Sequence, residues 1–260
     1  MRLYLVFVLL ASPLVAWTPD MQEVIAFEGA RLAPPDLYRQ IDRHRRELAA
    51  GTRVPFRQAR PAQHVENPDG GGELAGTLAR EAERAVEMIR AHRPFAEIVH
   101  QLGVVSHYVA DANNPLNVSD ADPEESRYFA DYLFYLESAE PRLPLLFYGL
   151  RPGLEELETL TPLVEHTLER TRELYPLVGR EYRRIGFASG GGRFDDRSTA
   201  FGSASLAFSH AVTDVAQVYI WIWLRAGGYD PRRGLPERGT KVLSLPRYDP
   251  DIDETTRPAR

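Results

Sequence analysis

Residues 198–226 constrain the fold more than any other stretch of this chain. Phe201, Phe208, Val212, Val215, Tyr219, Ile222 and Trp223 recur at helical spacing along one stripe, and Gly227-Gly228 follows as a stop. A core helix this long needs other helices to cover it. Residues 73–92 supply one, with Leu74, Leu78, Ala82, Ala85 and Ile89 on one face, and residues 95–109 a second, with Ile98, Leu102, Val105 and Val109 inward. Residues 128–137 and 154–185 carry further helical patterns, the latter expected to break at Pro162 or Pro176. No stretch alternates apolar and polar residues over a useful length. The expectation is an all-α, single-domain helical bundle.

The N-terminal region from Trp17 to Leu48 predicts two short helices separated by Pro34-Pro35. Residues 51–72 hold Pro55, Pro61, Pro68 and Gly70-Gly71-Gly72 without periodicity, and read as one long loop. Ahead of this body, Arg2, the apolar run 3–10 and the small residues before Trp17 form a secretory signal over 1–16, too short for a span of roughly 20 residues. The folded domain is then 17–228, secreted or periplasmic, with no membrane span in the mature chain. Residues 229–260, rich in Pro, Arg and Asp, are expected to be a disordered or extended tail.

Composition narrows the chemistry. The chain has no cysteine, so a metal would have to be held by nitrogen and oxygen, and no thiol nucleophile exists. A net charge of −6 without long single-sign blocks gives no strong nucleic-acid footprint.

The informative segment is Ser106-His107-Tyr108-Val109-Ala110-Asp111-Ala112-Asn113-Asn114-Pro115-Leu116-Asn117. His107 and Asp111 stand four apart, on one face of a helix, where they can share a metal or pair with each other structurally. Upstream, His64-Val65-Glu66-Asn67-Pro68-Asp69-Gly70 offers another imidazole. A second four-residue pair, His210 and Asp214, lies on the last helix and reads as a polar contact between packed helices. His44, His92, His100 and His166 sit among charges or in solvated helical segments and carry no specific signal.

Together these blocks resemble the zinc-dependent phospholipase C family and the related single-strand nucleases. In that family a His with a Pro-Asp-Gly-like turn precedes a helix bearing His-Tyr-x-x-Asp-x-x-x-Pro-Leu/Met-His. The match runs through His64, Pro68, Asp69 and Gly70, then His107, Tyr108, Asp111, Pro115 and Leu116. The resemblance implies zinc ligands at His64, His107 and Asp111, and at Trp17 if the signal is cut so that its amine becomes the N-terminus. It also implies a phospholipid or other phosphodiester as substrate, hydrolysed by metal-activated water, with Asp111 the catalytic carboxylate able to bridge two ions.

Several family ligands are replaced. Gln22 stands for the His expected after Trp17, Phe56 for an Asp, and Asn117 for the His that closes the central motif. For the next helix the chain offers Glu125 and Asp131 but no histidine. Neutral amides bind zinc poorly, so at least one ion is expected and three are not. Two functions follow: an exported metal-dependent phosphodiester hydrolase, or an inactive relative serving as an extracytoplasmic binding or structural module.

Overall fold

The computed structural model describes residues 17–228, 239–243 and 247–248. The expected signal segment and most of the expected tail lie outside the described residues. Ten α-helices form the described body: α1 (Pro19–Ala30), α2 (Pro35–Arg43), α3 (Arg45–Thr52), α4 (Pro55–Gln58), α5 (Leu74–Arg90), α6 (Phe95–Ala112), α7 (Phe129–Ala139), α8 (Thr161–Arg172), α9 (Tyr175–Arg184) and α10 (Thr199–Arg225). Among these residues none of the helices is long and apolar enough to cross a membrane.

Proline placement accounts for much of the punctuation. Helices α1, α2, α4, α8 and α9 each carry Pro in the first turn, where its missing N–H would be unbonded anyway. Pro162 and Pro176 thus both start helices instead of one of them interrupting a single long one. Near the N-terminus three helices replace the expected two, because His44, at φ −118° and ψ 37°, leaves helical geometry between α2 and α3. The segment 51–72 is also more ordered than a loop. It contains α4, a 3-10 turn at Pro61–His64 and a bridge pairing Glu66 with Gly72, all too short to leave a periodic signature.

Helix α10 starts at Ser198, whose hydroxyl accepts from Phe201 N, and stops at Gly227, where φ is +81°. It is buried on nearly every side: Val218, Ile220 and Trp221, off the expected stripe, are as inaccessible as Val215 and Tyr219. Helices α1, α5, α6 and α9 all pack on it, which makes it central rather than amphipathic. A two-residue antiparallel pair, β1 (Leu146–Phe147) with β2 (Lys241–Val242), lies against it. The remaining described part of the C-terminal segment also lies on the body. Tyr248 stacks on Phe27 at 3.9 Å and its hydroxyl donates to Glu23, while Arg247 pairs with Glu140 at 2.9 Å.

The crossing of α3 and α6 positions the site. Gly51 and Gly103 face each other so closely that a Cβ on Gly51 would stand 2.0 Å from the His100 carbonyl, and one on Gly103 would stand 2.2 Å from the Leu48 carbonyl. Neither neighbour can yield, since both are backbone. Glycine at both positions lets α3 approach α6 until the Thr52 carbonyl reaches the His107 ring. Gly103→Ala is expected to cost about 1–3 kcal/mol through overpacking, and to move Thr52 away from His107. Chemical denaturation of the variant beside the parent checks the first effect, and the His107 ring proton resonances check the second.

Candidate metal centre

His64, His107 and Asp111 come together from two elements, the 3-10 turn ending at His64 and the C-terminal end of α6, and all three are fully buried. The sequence left open whether His107 and Asp111 share a centre or only pair with each other; the structure adds His64 to them. His64 Nδ1 lies 2.7 Å from Asp111 Oδ2. His107 Nε2 lies 3.2 Å from the same oxygen and 3.3 Å from His64 Nδ1. The other carboxylate oxygen, Asp111 Oδ1, accepts from Gln22 Nε2 at 3.1 Å.

The tautomer of His107 follows from its other nitrogen. Nδ1 is 2.8 Å from the Thr52 carbonyl, which can only accept, so Nδ1 carries a proton and the Nε2 lone pair faces the centre when the ring is neutral. A backbone carbonyl behind the imidazole is the usual means of fixing a metal-binding histidine. Nothing in the sequence marks Thr52 for this role, because the group that acts is its main chain.

The protonation of the cluster is dominated by Asp111. Burial opposes charge on His64, but the hydrogen bond and negative charge of Asp111, with help from the Pro55 carbonyl, outweigh it and raise the imidazole pKa above 6.5. Burial likewise opposes charge on Asp111, yet His107 and then His64 overcome it and lower the carboxyl pKa. A proton therefore sits between His64 and Asp111 where a cation could sit instead.

The donor set fits such a cation. A tetrahedral ion with bonds of about 2.0 Å holds its ligand atoms about 3.3 Å apart. Both distances to His107 Nε2 already match, and the 2.7 Å contact between His64 and Asp111 would open by about 0.6 Å once the shared proton left. Polar atoms without hydrogen-bond partners also gather on the predicted ligand positions: His64 Nε2, Gln22 Oε1, and both Asn117 Oδ1 and Nδ2. Unpaired buried amides are uncommon, and here two of them stand where the family resemblance expects metal-binding imidazoles.

The other candidates are placed as follows. Trp17 is buried, with its indole Nε1 donating to the Ala110 carbonyl at 2.8 Å, one residue before Asp111. Phe56 sets its ring edge-on to His107 with centroids 4.7 Å apart. Glu125 and Asp131 do not join the cluster. Glu125 accepts from the Tyr175 hydroxyl at 2.7 Å, and Asp131 from the Tyr182 hydroxyl and Gly190 N, both at 2.6 Å, so both acids are committed to packing the α7 and α9 region. His210 and Asp214 part company. Asp214 takes Arg170, Thr167 and Asn113, tying α10 to α8 and α6 as a helix–helix contact, whereas His210 stacks on Tyr148 at 4.3 Å.

The centre is closed. His64, His107 and Asp111 have no solvent-accessible surface, and among the described residues two cavities of about 280 and 460 Å³ have none of the three in their walls, although Pro55 and Tyr108 border the smaller.

No family model and no curated protein sequence matches the chain. Among solved structures, the alpha-toxin of Clostridium perfringens isolated from avian strain SWCP matches with a TM-score of 0.61 at 12% identity, covering 82% of this chain and 66% of that one. The chain thus spans just under two thirds of the toxin structure. At this identity the likeness speaks for the fold, which is the all-α bundle of the phospholipase C type.

The pKa directions predict an optimum of stability for the metal-free protein. The His64 contribution is complete below pH 6.5 and disappears as pH rises through its elevated folded value. The Asp111 contribution is complete above its unfolded value and disappears as pH falls through its lowered folded one. Urea unfolding in chelator should therefore show a maximum between these limits, and added zinc should shift it upward in pH.

Proposed function

We propose that this is an exported protein of the phospholipase C type which keeps one metal centre, at His64, His107 and Asp111, and uses its helical scaffold for binding rather than turnover. The observation that carries this reading is the pairing of a convergent donor set with complete burial. Catalytic zinc sites keep a position open to water and substrate, whereas structural sites are closed. Of the positions expected to bear further ligands, Gln22 bonds Asp111, Phe56 packs its ring on His107, and Asn117 carries a neutral amide. A bound zinc would supply charge to offset the buried carboxylate. The residues supply the rest: Thr52 orients His107, Gln22 holds the second Asp111 oxygen, and Trp17 anchors the segment before α1 to α6.

A second reading, metal-dependent phosphodiester hydrolysis of phospholipid or a similar substrate, is favoured by the same convergence. It requires the cluster to open toward solvent and a water to take the remaining position, with Asp111 as the catalytic carboxylate.

Metal analysis and assay separate the two. The purified mature protein should carry one zinc per chain and release no product from phosphatidylcholine or bis(p-nitrophenyl) phosphate. His107→Ala should lose the zinc while keeping its helical circular dichroism. Zinc-dependent hydrolysis that disappears in His107→Ala would establish the second reading, and a protein that binds no zinc would remove both.

A further inference from the structure

The larger cavity, about 460 Å³, opens between α8, α10 and the turn after β1. Its wall carries Arg151, His166, Arg170 and His210 beside Tyr148 and Leu163, with no acidic side chain among the lining residues. In a chain of net charge −6 this places two guanidinium groups and two imidazoles on one wall.

The basic side chains of the cavity are fixed by their neighbours. Arg170 is held by Asp214 at 2.6 Å and Asn113 at 2.8 Å through Nη2, while its Nε is buried without a partner. Arg151 is anchored by its backbone N to Gln217 Oε1 at 2.7 Å and by Nη1 to the Pro162 carbonyl at 2.6 Å, and it faces no carboxylate among the described residues. His210 Nδ1 is likewise buried and unpartnered, with the ring fixed against Tyr148. Asp214 neutralises Arg170, which leaves the Arg151 charge unmatched beside the two imidazoles. Guanidinium groups favour oxyanions with paired oxygens, and Leu163 and Tyr148 give the cavity apolar and aromatic surface for an organic part.

We propose that this cavity binds an organic phosphomonoester, with Arg151 and His210 as its principal contacts. The proposal is independent of the metal centre, from whose residues the cavity is separate. Burial first, then the charges of Arg170 and His166, against the opposing pull of Asp214, push the His210 pKa down to about 4. A bound dianion beside Arg151 and Tyr148 would reverse that balance, so ligand binding and His210 protonation should strengthen each other.

The test follows the His210 ring protons by NMR while the purified protein is titrated with glycerol 3-phosphate, and separately with phosphatidylcholine vesicles containing phosphatidic acid. Saturable binding is expected, with His210 titrating at higher pH in the complex. Arg151→Gln and His210→Gln should each weaken binding at least tenfold with melting temperatures kept. Binding to the vesicles alone would identify a lipid headgroup as the source of the phosphate, and binding to glycerol 3-phosphate a soluble metabolite. The absence of saturable binding to either probe, or binding unchanged in both variants, would overturn the proposal.

Discussion

A carboxylate without access to water organises the middle of this molecule. Asp111 sits fully buried in the last turn of α6, and a buried charge is tolerated only when its oxygens are matched by donors or a cation. The matching groups come from far apart in sequence: Gln22 from α1, His64 from the turn after α4, and His107 one helical turn away. Each must arrive in register, so the packing of α1, α3 and the 51–72 segment around α6 is tied to one oxygen pair. The facing glycines at 51 and 103 serve the same end by letting backbone meet backbone where His107 is held.

The fold was legible because its signal is long. Helices α5, α6 and α10 show their inward faces over several turns, and the structure has them nearly where the periodicity places them. Elements of one or two turns escaped: α4 and the turn at Pro61–His64 contain too few residues for a period to repeat, and proline there reads as a breaker although it starts a helix. The division between α2 and α3 rests on one residue's backbone angles, which no side-chain pattern announces.

The centre was legible through chemistry rather than periodicity. His64, His107 and Asp111 stood out by type and spacing, and geometry joined them. Gln22 was visible only as a departure from a resemblance, yet it touches Asp111 directly. Glu125 and Asp131 were drawn in by the acidic ligand that the resemblance expects on the next helix, and both are occupied by tyrosine hydroxyls. Thr52 was invisible, since any residue supplies a carbonyl. The cationic cavity was equally hidden, because Arg151, His166 and His210 come from three segments with no shared motif.

Tyr248 lies flat against Phe27 and bonds to Glu23, the neighbour of Gln22, although 225 positions separate it from that acid along the chain. The helix that bears the Asp111 partner is therefore clasped by residues made more than 200 positions after it. During synthesis from the N-terminus, His64, His107 and Asp111 are all made well before this clasp. The face of α1 opposite the Asp111 contact is thus covered only once Tyr248 has been made, so the order of synthesis leaves that helix uncovered until late.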